Sequence, residues 1–301
     1  MADRAVTAGH AVPSSTSRAG LRPTYLFSRF GLHLLAILIG IMLMLPFYWA
    51  VASSLKQVQE VRQIPPILWP AKMQWENYVI VWNVRLFTNW VSNTFFLTIV
   101  PTIGIILSTS LAGYAFARFR FPGKAFLFSI TMATLMLPGY VLLIPNFLLF
   151  WKLGWLNTYL PLTIPFYFGG FVGGFYIFLF RQFFLTIPHD LDEAARIDGA
   201  SFPRIFWSII LPLSLPAFAT AAIIEGIRQW NSFLLPFIIL NRPELYPLSL
   251  GLRYFVVSPD TQPKDHLLMA AAVLMTLPVV LLFFLGQRYF VRGVVMSGIK
   301  G

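Results

Sequence analysis

LHLLAILIGIMLMLPFYWAVASSL, residues Leu32–Leu55, carries no formal charge from end to end. An α-helix rises about 1.5 Å per residue, so roughly 20 apolar residues cross the ~30 Å of a bilayer's hydrocarbon. This stretch is long enough to span. Further apolar blocks lie at Val91–Ala117, Ala125–Trp151, Asn157–Phe180, Ile205–Ile227 and Leu267–Gly286. The pattern predicts an all-α membrane protein with six transmembrane helices and both termini on one side.

The composition agrees with that reading. The 301 residues are 57% hydrophobic and only 11% charged, where soluble domains run near 25% charged. The net charge of +11 sits in short clusters between apolar blocks, which sets membrane orientation and meets anionic lipid. No basic face is interleaved with exposed aromatics, so a nucleic-acid role is not indicated. With no cysteine, disulfides, thiolate metal sites and cysteine nucleophiles are excluded. The histidines, His10, His33, His189 and His266, form no ligand spacing. Neither a G-x-S-x-G elbow nor a G-x-x-x-x-G-K-[ST] phosphate loop occurs, since Gly123-Lys124 has Arg118 where the first glycine belongs. The chain is not expected to be an enzyme, and it holds no metal or cofactor of its own.

Three regions follow: an N-terminal arm, 1–30, polar and disordered to about Leu21; a six-span domain, 31–290; and a tail, 291–301. The apolar run after Arg29 lacks a small-residue cleavage site and is long enough to span, so it reads as a retained first helix. The loop Arg118–Lys124 holds Arg118, Arg120 and Lys124, and the arm and tail are basic too. By the positive-inside rule these face the cytoplasm, as does the segment Arg181–Arg204. The connectors Lys56–Trp90 and Arg228–His266 contain prolines and read as ordered, extended segments over the outer surface. Pro138, Pro161 and Pro165 should bend their spans. Gly169-Gly170 and Gly173-Gly174 offer small residues for close helix packing.

Within the loop 188–212, PHDLDEAARIDGAS (Pro188–Ser201) is the least membrane-like stretch after the arm. Asp190 with Glu193 three residues on reads as a capping-box helix start. Acidic residues crowd the first turn, Gly199 suits a left-handed helix end, and Ser201 with Pro203 suits the start of the next helix. A short helix over Leu191–Asp198, then a tight turn, is predicted. Ala194 and Ala195 let another surface approach closely, although a capped linker lying at the lipid interface fits the same residues.

Glu193-Ala194-Ala195, Asp198-Gly199-Ala200, Ile209 and Leu211-Pro212 resemble the EAA loop of ABC importer permeases at the family's spacing. From about Leu32 onward the chain is similar to the carbohydrate-uptake branch: Ser53-Ser54-Leu55-Lys56, Glu76-Asn77-Tyr78, Ala112–Arg118, Phe121–Lys124 and Leu156-Asn157-Thr158. The ending, through Gly298-Ile299-Lys300-Gly301, resembles that of maltose-type G permeases, with Ser297, Gly298 and Ile299 as small departures. The resemblance implies a type I ABC importer permease of the bacterial inner membrane. It implies as partners a second homologous permease, an ABC ATPase dimer carrying ATP and Mg, and an extracytoplasmic solute-binding protein. The loop helix would dock on the ATPase, and Gly298, Lys300 and Gly301 would reach it. Amino-acid or phosphonate importers are the nearer relatives to weigh; an ion-coupled secondary transporter and a membrane-embedded enzyme are the more distant alternatives.

Glu225 and Arg228 lie three apart on one helical face near a span end. They fit either an internal ion pair or the lining of a translocation path. Trp230, Asn231 and Phe233 resemble the family's Trp-Asn-x-Phe-Leu stretch. They suit sugar hydroxyls and ring faces, and Trp230 equally suits an interfacial anchor.

Overall fold

The computed structural model describes residues 23–256 and 264–298, and the chain divides into two units between Trp49 and Ala50. In the first unit, helix α1 (Pro23–Ser54) exposes its side chains from Phe30 to Tyr48, as an all-round apolar helix does in lipid. Helical backbone already begins at Pro23, inside the stretch read as the N-terminal arm.

The last turn of α1 belongs to the second unit. There follow α2 (Phe87–Arg118), α3 (Lys124–Ala133), α4 (Leu143–Lys152), α5 (Gly173–Leu185), α6 (Asp190–Ile197), α7 (Leu215–Trp230) and α8 (Asp265–Gly298). No strand occurs among the described residues. Four helical stretches are long and apolar enough to cross a membrane alone: Phe30–Ser54, Phe87–Arg118, Leu160–Leu185 and Asp265–Gly286. Two more are bent pairs, Lys124–Met136 with Gly139–Lys152 at 92° and Phe202–Leu213 with Leu215–Trp230 at 79°. Counting each pair as one span gives six.

The bends follow from proline. Pro138 lacks an N–H and pushes Leu137 into the extended region, φ −81°, ψ 115°, where the first pair breaks. At the second bend, Ser214 leaves helical geometry at φ −100°, ψ 7°, Pro216 stands in the first turn of the helix that follows, and a π-helical turn at Phe206–Ile210 precedes the break. Pro161 and Pro165 instead sit in the first turns of the short helices Leu160–Thr163 and Ile164–Phe168, where a missing N–H does no harm.

The two glycine pairs differ in purpose. Gly169 and Gly170 have φ of 93° and 55°, so they turn the chain ahead of α5 rather than thin a helix face, which corrects the packing reading for that pair. Gly174 does pack closely: a Cβ there would lie 2.8 Å from the Thr131 carbonyl oxygen.

Helix α2 is the centre of the second unit, packed against α5, α7 and the turn Ile164–Phe168. Gly113 lets α5 approach, since a Cβ would lie 2.8 Å from Phe180 Cβ and 3.1 Å from the Arg181 nitrogen. Around the Arg118 end of α2 a core forms from Tyr114, Ala117, Phe180, Phe184, Ile187, Ala195, Ile205 and Phe206. Around the other end Phe87 and Trp90 pack with Val81, Leu248, Phe255, Leu267, Ala270 and Ala271.

Over their described residues the connectors are not extended, against expectation. They wind into short helices at Val58–Val61, Glu76–Trp82, Leu234–Ile239, Leu248–Gly251 and Arg253–Val256, with a 3-10 turn at Pro243–Leu245. Pro243 and Pro247 stand in or just before first turns, where their fixed φ favours helix. Asn77 Nδ2 donates to the carbonyls of Ser54 (2.8 Å) and Lys56 (3.0 Å), and Lys56 Nζ donates to the Ile67 carbonyl at 2.5 Å. These bonds satisfy backbone acceptors at the end of α1 that a buried chain cannot leave open. Burial holds the Lys56 pKa below the ordinary lysine value, with Glu60 partly opposing the shift.

Candidate functional site

The eight residues of α6 carry Asp190, Asp192 and Glu193 in the first turn and Arg196 in the last, matching the helix dipole at both ends. The capping box expected at Asp190 is absent. His189 holds the N-cap position without a side-chain bond, and its carbonyl receives the amides of Asp192 (2.9 Å) and Glu193 (3.1 Å). The chain already enters helical geometry at His189, φ −67° and ψ −27°. Asp190 is thereby drawn into the first turn, where its carboxylate meets the dipole instead of capping.

The other end closes as the glycine suggests. Gly199 has φ +81°, its amide bonds the Arg196 carbonyl at 3.0 Å, and the Ala200 amide bonds the Ala195 carbonyl at 2.9 Å. This paired pattern is a Schellman motif, and it exists because glycine has no Cβ to obstruct a left-handed residue. Ser201, φ −73° and ψ 158°, then takes the N-cap position of Phe202–Ile205, with Pro203 in the first turn; its hydroxyl makes no cap bond.

The helix has two faces. Asp192 and Ala195, three apart, turn toward the bundle; Ala195 is 9% exposed and joins the core that also receives Ala200 and Leu211. Glu193, Ala194 and Ile197 turn outward, and Ile197 is 87% exposed. The Glu-Ala-Ala triplet is thus split, its first two residues outward and its third inward. Asp198 and Pro212 are exposed.

Sequence reading took Arg118 only as an orientation charge. Its side chain is 2% exposed, with Nε 3.1 Å from Asp192 Oδ2 and Nη2 donating to the Ile187 carbonyl at 2.9 Å. The sequence signal is slight: one arginine closing a span, and an acid beside Glu193 that points the other way.

The second group lies on α7. Glu225 is fully buried and accepts from Arg228 Nε (2.7 Å), Arg228 Nη2, Tyr176 Oη (2.9 Å) and Gln229 Nε2 (2.7 Å). Arg228 also lies 5.6 Å from the Phe166 ring centre, a cation–π contact. Sequence reading missed Gln229 and Tyr176. Gln229 stands four residues from Glu225, a spacing that shares a helix face, whereas nothing in the sequence links Tyr176 to it. Trp230 is 5% exposed, and its indole N–H donates to the Met275 carbonyl at 3.0 Å, closing α7 onto α8. Asn231 is exposed and donates to the Ile227 carbonyl; Phe233 is 40% exposed and stacks on Phe237 at 5.6 Å. Gly298 ends α8, while Lys300 and Gly301 lie outside the described residues. No group of three or more His, Asp or Glu is placed to hold a metal among the described residues.

Residues 104–296 match the model of the family described as "Binding-protein-dependent transport system inner membrane component". The arabinooligosaccharides transport system permease protein AraQ of Halalkalibacterium halodurans is 35% identical over 77% of this chain and 81% of its own length. The sn-glycerol-3-phosphate transport system permease protein UgpE of Yersinia enterocolitica is 37% identical over 87% of this chain and 94% of its own. Among solved structures, a chain of a bacterial ABC transporter involved in the import of the acidic polysaccharide alginate superposes with a TM-score of 0.77 at 26% identity. That match covers 89% of this chain and 98% of the other. The chain belongs to the family of inner membrane components of binding-protein-dependent transport systems, and its fold is that of a type I ABC importer permease.

Proposed function

We propose that this chain is one of two homologous permease subunits that together enclose the path of a polyhydroxylated solute, a sugar, oligosaccharide, polyol or glycerol phosphate. Its helix α6 would seat on a separate ABC ATPase dimer that holds ATP and Mg. An extracytoplasmic solute-binding protein would deliver the solute at the opposite face. The observation that carries this reading is α6 itself, a capped helix fixed to the bundle by one face and presenting Glu193, Ala194 and Ile197 on the other. The relatives named for arabinooligosaccharides, glycerol 3-phosphate and alginate support the solute class.

In this mechanism, ATP-driven closure of the ATPase dimer pulls on α6, and the spans switch between inward- and outward-facing arrangements. Arg118, Arg120 and Lys124 lie at the same end of the bundle as α6, supporting a cytoplasmic position for that end and for both termini. The tail through Gly298, Lys300 and Gly301 would reach the ATPase. Asn231 and Phe233 are exposed and suit a solute path, with Arg228 beside them. Glu225 and Trp230 would support that path from behind, since both are buried. An ion-coupled transporter would need a carboxylate able to release and recapture its ion, whereas the Glu225 oxygens are taken up by fixed donors.

Affinity purification of the tagged chain from native membranes tests the assembly. A second permease, an ABC ATPase and a solute-binding protein should co-purify. A chain that purifies alone and moves solute into liposomes without ATP would overturn the reading.

A further inference from the structure

We infer that Arg118 and Asp192 form the joint through which α6 drives α2, making α2 the element that carries the movement across the membrane. The inference rests on the reading of α6 as the ATPase-docking helix. An eight-residue helix does not hold itself in water, so whatever fixes α6 to the bundle decides where its displacement goes. Its covalent neighbours lead toward α5 and α7. The contacts it makes through space with the bundle include the Ala195 methyl, which has little to grip, and the Asp192 carboxylate.

That carboxylate meets the last turn of α2. Arg118 Nε stands 3.1 Å from Asp192 Oδ2, with the two side chains 2% and 13% exposed. Away from water the attraction is little screened and resists separation. The same guanidinium donates to the Ile187 carbonyl, 2.9 Å away, just ahead of α6. One side chain of α2 therefore holds both α6 and the segment leading into it.

Helix α2 has 32 residues in one run, about 48 Å at 1.5 Å per residue. Its far end is fixed as firmly. Trp90 Nε1 donates to the Pro243 carbonyl at 2.8 Å, Asn93 Nδ2 to the Glu244 carbonyl at 2.8 Å, and the Leu248 amide to Thr94 Oγ1 at 2.7 Å. A pull on α6 thus reaches the segment Pro243–Leu248 at the opposite end of the bundle through one continuous helix. The joint also has room to adjust. Arg118 Nε, Arg118 Nη1 and Asp192 Oδ1 are all buried without hydrogen-bond partners. The pair is therefore held by charge at 3.1 Å rather than by an aligned N–H···O bond, and a small slide of α6 along α2 can bring such a bond into use.

The test uses the assembled transporter in proteoliposomes, reading solute moved per ATP hydrolysed. Asp192→Asn should lower that ratio by about tenfold while the complex still co-purifies with its ATPase. The exchanged pair, Arg118→Asp with Asp192→Arg, should recover most of it. A purely structural role would lower uptake and hydrolysis together and leave the ratio unchanged. A ratio within about twofold of wild type for Asp192→Asn, or no recovery in the exchanged pair, overturns the joint. If the wild-type complex itself moves no solute with ATP, the permease reading fails before the joint is tested.

Discussion

Glu225 is the residue whose loss should be felt most. A buried carboxylate with all its donors in place is tolerable, but removing it leaves buried donors without an acceptor. Glu225→Ala strands the hydroxyl of Tyr176 and the amide of Gln229, while Arg228, 39% exposed, can turn to solvent. It should destabilise the detergent-solubilised protein by about 1–3 kcal/mol, read as a fall in the thermal unfolding midpoint. The pair Arg62–Asp265 is the contrast, at 2.6 Å but with side chains 60% and 36% exposed. Asp265→Asn should change stability by no more than about 1 kcal/mol in the same assay. Gly199 sits between these extremes, because φ +81° costs a β-branched residue roughly 1–2 kcal/mol. Gly199→Val should loosen the end of α6 and speed tryptic cleavage after Arg196, and Gly199→Asn should do so much less. Of these residues, Gly199 and the Glu225–Arg228 spacing were legible in the sequence. Tyr176 and the role of Arg118 were not, because each meets its partner only through the packing of separate helices.

Among the elements, the closeness of α2 and α5 sets the bundle's shape, and Gly113 permits it. Gly113→Leu should force the helices apart and lower stability by about 1–3 kcal/mol or more. Gly226→Ala makes an instructive companion, since a Cβ on Gly226 meets nothing within 4 Å. Its helical position should gain about 0.5–1 kcal/mol from the lost chain entropy, and differential scanning fluorimetry on both variants checks the pair. Apolar run length announced the helices because crossing lipid demands it. The breaks were partly legible: Pro138 marks one bend as expected, whereas Pro161 and Pro165 begin short helices instead and the break between Leu213 and Leu215 was not anticipated. The connectors were misread as extended because proline at a first turn and proline in an extended strand look alike until the preceding residue's geometry is known. The start of α6 was misplaced by one residue for a similar reason, as an aspartate in a first turn and one at an N-cap have the same neighbours in sequence.

At the scale of the whole molecule, the sequence carried the family through the loop around α6, whose residue types and spacing survive as a capped helix with one buried and one exposed face. The division of that triplet between faces was out of reach, since it depends on how α6 lies against α2. If α6 couples the spans to ATP hydrolysis, its outward face is where an ATPase docks. The chain has no cysteine, so a single thiol at Ile197, 87% exposed, gives an unambiguous probe. In native membranes, Ile197→Cys should crosslink to the ABC ATPase subunit through a short bifunctional thiol–amine reagent, and ATP should change the yield. If Ile197→Cys is modified freely by an aqueous thiol reagent, with or without ATP, and gives no crosslink to an ATPase, the outward face of α6 is not the docking surface.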